Sequence, residues 1–230
     1  MTNKYESFNL EIEDNIANII LSRPEQLNSM SRKFWVELPE ILEEVNRNSE
    51  IRVLIISSTG KHFCAGMDLS AFDNGVANIP KEKRPDNARI GEALYRSARE
   101  LQEYISKLEK IRVPVIAAIH GGCIGGAVDL VTACDIRLAT TDAFFCIQEI
   151  NIGMAADVGT LQRLPRIIPD SKMRELAYTG RRMLADEAKE SGLVSDVYNS
   201  QEEMVNAAKE MANEIAKKSP IAIYLSLIHI

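Results

Sequence analysis

Three carboxylates in apolar surroundings are the residues of this chain best suited to chemistry. Asp129 lies in GGAVDLVTA, Glu149 in FFCIQEINIG and Asp157 in GMAADVGTLQ. Acids with so many apolar neighbours are expected to be at least partly buried, and burial raises the pKa of a carboxyl group toward the range useful for proton transfer. Structural roles stay open at this point. Asp129 could cap or pair within its helix, Glu149 could end a strand in solvent, and Asp157 could cap the helix that follows.

Two glycine-bearing turns form the second candidate feature. CAGMDL at 64–69 and GGCIGGAVDL at 121–130 each follow a predicted strand and are expected to lead into a helix. Such a turn leaves backbone N–H groups without intrahelical partners, and glycine lets another group approach them closely. Two turns side by side could direct two N–H groups at one oxyanion, although each glycine could equally do no more than permit a tight turn. Neither turn contains GxGxxG or GxxxxGK[ST], so neither is a nucleotide fingerprint.

Composition and charge indicate a globular protein and argue against some functions. Of 230 residues, 46% are hydrophobic and 26% charged, as in a globular domain. Lys and Arg number 27 against 33 Asp and Glu, giving a net charge of −6 with neutral His. An acidic chain is a poor candidate for sequence-independent binding of nucleic acid, and no apolar run reaches the roughly 18 residues that span a bilayer. The basic run KEKR at 81–84 is interpreted as a solvated face, with phosphate contact as the alternative.

The cysteines and histidines form no metal-binding pattern. There is no CxxC pair, and a zinc site is not expected. The residues concerned are Cys64, Cys123, Cys134, Cys146, His62, His120 and His229. Free, buried thiols in a reducing compartment are predicted. No targeting segment is visible in MTNKYESFNLEIED, so the compartment stays open between the cytoplasm of a bacterium and a eukaryotic mitochondrion or peroxisome.

Hydrophobic periodicity predicts the elements that must position these residues. Alternation over 8–21, broken at Asp14-Asn15, predicts a β-hairpin. Helical spacing over 31–46 predicts a helix with Ser31 as its N-cap, which Pro39 is expected to break or kink. Buried strands are predicted at 52–57 and 113–119, and further strands at 135–140, 143–147 and 193–198. Helices are predicted at 90–109, 157–180, 184–191 and 200–218, and a surface loop at 73–88. The 157–180 helix is interrupted by two prolines. This alternation indicates an α/β fold with a largely parallel sheet.

Three segments, in chain order, resemble the enoyl-CoA hydratase/isomerase (crotonase) superfamily. They are RVLIISSTGKHFCAGMDL, VPVIAAIHGGCIGGAVDLVTACDIRLAT and FFCIQEINIGMAADVGTLQRLPRII. The resemblance runs from about residue 8 to about residue 222, and the last two segments most resemble the Δ3,5-Δ2,4-dienoyl-CoA isomerases. It implies a crotonase-like (ClpP/crotonase) fold of repeated ββα units with outer helices, an acyl-CoA thioester substrate, and assembly into trimers or dimers of trimers.

The resemblance also implies where the thioester binds. Its oxygen is expected between the backbone N–H groups of Met67 and Gly126, which together form an oxyanion hole. The family's second turn usually has a third glycine where this chain has Ala127, and a methyl group there leaves the Gly126 amide available. The substrate-binding residues implied are Ala65, Gly66, Met67, Asp68, Leu69, Gly126 and Ala127.

The three acids distinguish between members of the superfamily. Hydratases place glutamates at the positions of Asp129 and Glu149 and usually carry Pro-Gly at Ala156-Asp157, whereas an acid at 157 is a mark of the dienoyl-CoA isomerases. The resemblance therefore implies an isomerase that converts 3,5-dienoyl-CoA to 2,4-dienoyl-CoA. Glu149 is assigned as base at C2 and Asp157 as acid at C6, the reverse remaining open, with Asp129 orienting or tuning the pair. No metal or redox cofactor is implied, since coenzyme A is part of the substrate.

Two other functions stay open. One is a 2-enoyl-CoA hydratase that adds water with Asp129 and Glu149. The other is a non-catalytic protein of the same fold that binds a partner or RNA, against which the negative charge and the retained acids weigh. A core domain at 1–200 and the start of a C-terminal helical region at 201–230 are predicted. The family-like pattern fades after Ile221-Ala222, and we expect a truncated chain that trimerises poorly and has weakened activity.

Overall fold

The computed structural model describes residues 4–68 and 86–228, and the predicted hairpin forms one edge of its main sheet. Strands β1 (Phe8–Glu13) and β2 (Ile16–Leu21) pair antiparallel. Asp14 and Asn15, the two residues between them, have φ of 48° and 67°. These left-handed conformations suit a two-residue hairpin loop, and Asn and Asp are the non-glycine residues that adopt them most readily.

Strands and helices alternate along the rest of the described chain, as the sequence predicts. The further strands are β3 (Val53–Ser58), β4 (Val115–Ile119), β5 (Gly122–Ile124), β6 (Ile136–Thr140), β7 (Phe144–Cys146), β8 (Arg182–Leu184) and β9 (Asp196–Tyr198). The helices are α1 (Arg32–Arg47), α2 (Asn87–Lys110), α3 (Gly126–Thr132), α4 (Thr160–Arg163), α5 (Asp170–Thr179), α6 (Ala185–Ser191), α7 (Gln201–Ala216) and α8 (Pro220–Ile228). Short 3₁₀ turns occupy Pro24–Gln26, Glu149–Ile152 and Leu164–Arg166.

The main sheet has the strand order β1-β2-β3-β4-β6-β9, and every pairing after the hairpin is parallel. Strand β3 shows why its sequence is a continuous apolar run. Val53 and Ile55 belong to the cluster under α7, whereas Leu54 and Ile56 belong to the larger core on the opposite face. Because both faces are covered, no position alternates with a solvated one.

A second, three-stranded sheet has the order β5-β7-β8. The sequence predicts that the turn at 121–130 passes straight into a helix, and this is wrong in one respect. Strand β5 intervenes and pairs in parallel with β7, so that α3 begins only at Gly126. Three residues carry no periodicity of their own, and their strand conformation is fixed by this non-local pairing.

Helix α1 begins as predicted, with the Ser31 hydroxyl accepting a hydrogen bond from the Phe34 amide at 3.3 Å. The helix continues through Pro39, so the predicted break does not occur. Burial of the apolar face, which includes Phe34, Leu38 and Ile41, offsets the roughly 3 kcal/mol that an interior proline costs. The predicted interruption of 157–180 is observed, because a 3₁₀ turn with Pro165 separates α4 from α5.

The C-terminal helices differ in their packing. Met204, Ala208 and Ala212 of α7 are buried against the main sheet, whereas Ile221 of α8 is 71% exposed. In the described ranges no helix is long and apolar enough to cross a membrane. The run at 81–84 and all but the last three residues of the predicted loop at 73–88 lie outside the described residues.

Candidate active site

The two glycine-bearing turns lie side by side. Cys64 and Cys123 form a parallel bridge, in which the Cys64 amide donates to the Gly122 carbonyl and the Ile124 amide donates to the Cys64 carbonyl, both at 3.1 Å. Both thiols are buried and free of a disulfide, as predicted, and burial raises the pKa of Cys64 to about 12. A thiol with so high a pKa is not a nucleophile near neutral pH, so these cysteines act as packing residues under the turns.

The first turn is held by the residues that precede α1. The Met30 amide donates to the Gly66 carbonyl at 2.8 Å, and the Asp68 amide donates to the Met30 carbonyl at 3.1 Å. In a parallel bridge these two bonds flank Met67, whose own N–H faces the other way. Within the described ranges the Met67 amide donates to no protein acceptor, which leaves it available to a ligand.

The second turn places its amide beside the first. Gly125, with φ 56° and ψ −124°, precedes the first helical residue of α3, Gly126, whose N–H has no partner within the helix. A Cβ added at Gly66 would lie 3.5 Å from the Gly126 nitrogen, and one added at Gly126 would lie 4.0 Å from the Met67 nitrogen. The two amides that the sequence predicts to act together therefore belong to adjoining segments of one surface.

Glu149 begins the 3₁₀ turn that follows β7 and lies against the second turn. One carboxylate oxygen, Oε1, lies 3.2 Å from where a Cβ would stand on Gly125. The other, Oε2, is buried and has no hydrogen-bond partner within the described part of the chain. Burial raises the pKa of Glu149, and the negative charge of Asp157 raises it further. A half-buried carboxylate with an unpaired oxygen suits a general base.

Asp129 lies in the first turn of α3 and is only 1% exposed. Its Oδ1 accepts a hydrogen bond from the Thr160 amide at 2.6 Å, which ties α3 to the start of α4. Burial raises the pKa of Asp129 to about 7, with the hydrogen bond from Thr160 opposing that shift and the charge of Glu149 adding to it. The carboxylate reaches across to another element rather than capping its own helix.

Asp157 is exposed, so the prediction that all three acids are at least partly buried is wrong for this residue. It does not cap the following helix either, because the N-cap of α4 is Gly159. Its backbone carbonyl accepts a hydrogen bond from Gln102 Nε2 of α2 at 2.7 Å. The apolar residues around it in sequence turn inward, and Ala156 and Val158 are buried on either side.

One cavity of about 370 Å³ collects these groups. It is lined by Ala65, Gly66, Met67, Gly125 and Gly126 of the two turns and by the three acids Asp129, Glu149 and Asp157. The sequence did not single out the other lining residues, which are Trp35, Ile124, Gln148, Ile152, Met154, Ala155, Val158 and Arg182. In the sequence Trp35 is one of several apolar residues of α1, and no local sequence feature distinguishes Arg182 from other surface arginines.

Three residues implied as substrate-binding do not line this cavity. Ala127 is fully buried in the core, where its methyl group faces the protein interior. Asp68 adjoins the cavity through the first turn but is not part of its wall. Leu69 lies outside the described residues. The alanine that replaces the family's usual glycine is thus accommodated by the core rather than by the substrate site.

A larger cavity of about 450 Å³ lies elsewhere, between α8 and the C-terminal ends of α1 and α2. Its polar wall consists of Asn46, Arg52, Lys110 and Arg112, and it contains no carboxylate and neither turn. It exceeds the first cavity in volume. The smaller cavity is the candidate active site because it alone of the two combines acids of raised pKa with available amides.

Comparison with known proteins shows the family to which the chain belongs. Residues 11–226 match the family model described as Enoyl-CoA hydratase/isomerase, which passes the point near residue 222 where the sequence pattern fades. The chain is 44% identical over 228 residues to the mitochondrial Δ3,5-Δ2,4-dienoyl-CoA isomerase of Rattus norvegicus, covering 98% of this chain and 69% of that protein. It is 43% identical to the peroxisomal Δ3,5-Δ2,4-dienoyl-CoA isomerase of Arabidopsis thaliana, covering 92% of this chain and 75% of that protein. The crystal structure of enoyl-CoA hydratase from Bacillus anthracis superposes with a TM-score of 0.84 at 33% identity, covering 96% of this chain and 81% of that one.

Proposed function

The chain belongs to the enoyl-CoA hydratase/isomerase family, and on that premise we propose that it is a Δ3,5-Δ2,4-dienoyl-CoA isomerase of fatty-acid β-oxidation. One observation carries the proposal. Glu149 and Asp157 line a single cavity, close enough for the charge of one to raise the pKa of the other. Shifting two conjugated double bonds requires one proton to leave the substrate and another to join it four carbons away. Two carboxylates in one apolar cavity suit that pair of transfers.

The first step forms a dienolate. We assign Glu149 to take the proton from C2. The electrons of that C–H bond form a double bond between C1 and C2, and the carbonyl π electrons move onto the thioester oxygen, giving an enolate conjugated with the diene. The amides of Met67 and Gly126 donate to this oxygen as its negative charge develops. Donors fixed in advance need no reorganisation at that moment, and the loss of one typically costs about 3–4 kcal/mol of transition-state stabilisation.

The second step returns a proton at C6. The electrons flow back from the thioester oxygen, a double bond forms between C2 and C3 and another between C4 and C5, and C6 takes a proton from Asp157. The site gains one proton at Glu149 and loses one at Asp157, so exchange with solvent restores both groups. Asp129 does not touch the reacting carbons in this scheme. It holds the start of α4 through the Thr160 amide and thereby positions the segment that carries Asp157.

The reaction as written consists of proton transfers alone, so we propose that it uses no metal or redox cofactor. The substrate is an acyl-CoA thioester, and the apolar wall that includes Trp35, Ile152 and Met154 accommodates the acyl chain. Self-assembly into trimers or dimers of trimers is also proposed. The rat and Arabidopsis relatives are named as mitochondrial and peroxisomal, and we propose a reducing organelle of that kind, where four buried free thiols persist.

Hydration of a 2-enoyl-CoA is the second candidate, favoured by the similarity to the Bacillus anthracis hydratase. That reaction needs two acids that hold and activate one water molecule. Here the buried Asp129 carboxylate already accepts from Thr160, whereas Asp157 is an exposed acid that lines the same cavity as Glu149. This arrangement supports the isomerase over the hydratase, and two acids of raised pKa beside available amides support a catalyst over a binding protein.

Ultraviolet absorbance tests the proposal directly, because conversion of a 3,5-dienoyl-CoA into a 2,4-dienoyl-CoA extends conjugation to the thioester. We expect the protein to raise that absorbance, and we expect Asp157→Asn to lower kcat by about 10²–10⁴-fold, the usual range for a lost acid–base group. Asp186→Asn, an exposed aspartate on α6, is the matched control and should leave kcat unchanged. Hydration of a 2-enoyl-CoA without isomerisation, or full isomerase activity in Asp157→Asn, contradicts the proposal.

A further inference from the structure

His62 lies five residues before Met67 and contacts the second turn rather than the first. Its Nδ1 accepts a hydrogen bond from the Gly122 amide at 2.9 Å. The Gly122 carbonyl in turn accepts from the Cys64 amide at 3.1 Å. Both polar groups of the first residue of β5 are thus bonded to the segment that leads into the first oxyanion turn.

The imidazole ring fits a space that two glycines leave open. It meets the ring of Phe144 edge-on, with 5.9 Å between centroids and 81° between planes. A Cβ on Gly121 would overlap the Lys61 carbonyl oxygen and lie 2.9 Å from His62 Nδ1. A Cβ on Gly122 would lie 2.9 Å from Phe144 Cζ, 3.1 Å from Ile124 Cδ1 and 3.3 Å from His62 Nδ1. A tight turn explains Gly121, which has φ 56°. At Gly122 a side chain is excluded by Phe144 and Ile124 together with the imidazole ring.

We propose that His62 is a positioning residue for the oxyanion hole, acting through Gly122 and the short strand β5 on the amide of Gly126. The inference rests on the proposed function. Only Cys123, Ile124 and Gly125 separate the bonded Gly122 from Gly126. Strand β5 is otherwise fixed by its bridge to Cys64 and its pairing with β7. Loss of the Nδ1 acceptor frees the start of that strand, and a shift of the order of 1 Å in a catalytic donor can cost about 100-fold in rate.

The charge state of the ring matters because only a neutral imidazole can accept at Nδ1, with its proton on Nε2. Burial lowers the pKa of His62, and the nearby charges of Lys61, His120 and Arg182 lower it further, whereas Asp142 opposes them. The neutral form is therefore favoured near neutral pH. As the pH falls through this lowered pKa, Nδ1 gains a proton and the bond to Gly122 is lost.

A matched pair of substitutions separates the acceptor from the bulk of the ring. In His62→Asn the amide oxygen stands at the place of Nδ1 and can accept the same hydrogen bond. The leucine of His62→Leu has nearly the same shape as that asparagine but contains no acceptor. With a 3,5-dienoyl-CoA as substrate, we expect His62→Leu to lower kcat by about 10–100-fold with KM changed less than about threefold, and His62→Asn to recover kcat to within about fivefold of wild type. Equal loss in both variants, or none in His62→Leu, overturns the proposal.

The pH profile and hydrogen exchange supply readouts that a purely structural role would not move. In the wild type, protonation of both Glu149 and His62 lowers kcat. The acid limb should therefore be steeper than a slope of one over the roughly one to two pH units in which the His62 bond is lost, and it should fall to about one in His62→Asn. Hydrogen exchange at the Gly122 amide should quicken in His62→Leu and not in His62→Asn. An unchanged slope, or Gly122 exchange alike in the two variants, counts against the assignment. A wild type inactive on 3,5-dienoyl-CoA refutes the proposed function instead, because hydrogen exchange tests the Gly122 contact without turnover.

Discussion

The two walls of the active-site cavity are built in different ways. The oxyanion wall, formed by 64–68 and 122–126, is held by backbone hydrogen bonds between neighbouring segments, such as those joining Cys64 to Gly122 and Ile124. The acid wall, formed by 149–160, contains a 3₁₀ turn and irregular backbone, and side chains from other elements tie it down at Thr160 and Asp157. Each wall is therefore sensitive to a different kind of substitution.

Backbone donors cannot be removed by ordinary side-chain substitution, so the oxyanion wall should tolerate most changes except at glycines where a Cβ has no room. The acid wall has the opposite character. Each of its tethers is a single hydrogen bond, and a single hydrogen bond typically contributes about 0.5–1.5 kcal/mol. Substitutions that remove one of these tethers should produce graded losses rather than collapse.

The largest effect is expected from Gly66→Ala. Gly66 has φ 85°, and its Cβ would lie 2.5 Å from the Ile124 carbonyl oxygen, which belongs to the other turn. Backbone cannot yield as a flexible side chain would, so we expect a loss of about 2–4 kcal/mol in the free energy of unfolding, measured by urea denaturation, with a fall in kcat of at least about 100-fold.

Substitutions at two other glycines serve as controls for Gly66→Ala. Gly153 has a similar φ of 74° but nothing within 4 Å of its Cβ position, so Gly153→Ala should show the backbone strain alone, about 1 kcal/mol. Gly91, inside α2, also has open space, and Gly91→Ala should stabilise the protein by about 0.5–1 kcal/mol. If Gly66→Ala costs no more than Gly153→Ala, the tight packing of the two turns is not what holds the oxyanion wall.

Asp129 gives an intermediate effect, and it depends on pH. Its folded-state pKa of about 7 lies above the ordinary value of 3.8, so the fold favours the protonated form. The associated stability is fully present below pH 4 and is lost as the pH rises through 7. At about 1.4 kcal/mol per pKa unit, the wild type should lose about 2–3 kcal/mol between pH 5 and pH 8 through this residue. Asp129→Asn keeps an acceptor for Thr160 and should lack that slope.

The measurement is urea unfolding of both proteins at pH 5 and pH 8 at one protein concentration. The contributions of the other titrating groups cancel when the unfolding free energy of the variant is subtracted from that of the wild type. This difference should be less favourable to the wild type at pH 8 than at pH 5. A difference equal at the two pH values would show that Asp129 ionises in the fold as it does in water. That result would contradict the burial of the carboxyl group that anchors the acid wall at Thr160.

Much of the framework follows from local sequence, and the exceptions share a cause. The hairpin at Asp14-Asn15, the cap at Ser31 and the parallel strands are each encoded by neighbouring residues. The pairing of β5 with β7 and the continuity of α1 through Pro39 depend on contacts with distant parts of the chain. Periodicity reports which residues are apolar, and it does not report what covers them.

In the candidate site, too, the sequence identifies residues by type but does not report their surroundings. Acids and turns could be selected by residue type and by resemblance, and the structure brings the selected acids into one cavity. Burial could not be read from apolar neighbours, because at Asp157 those neighbours turn inward and leave the carboxylate exposed. Ala127 faces the core for a related reason, since a one-residue step along a helix turns a side chain by about 100°. The contact between His62 and Gly122 joins residues 60 positions apart and has no local signature.

The smallest effect is expected at the tether of Asp157 to α2. Gln102 Nε2 donates to the Asp157 carbonyl at 2.7 Å from a half-buried position, and it does not line the cavity. Gln102→Met keeps the length and helix propensity of the side chain and removes the donor. We expect kcat to fall about three- to fivefold, which corresponds to roughly 0.7–1 kcal/mol, with KM unchanged because the substrate loses no contact. Lys107→Met, further along the same helix, controls for the change in surface and should leave kcat as it is. A loss in Gln102→Met as large as that in Gly66→Ala would mean that the acid wall, too, depends on one indispensable contact, and the contrast between the two walls would fail.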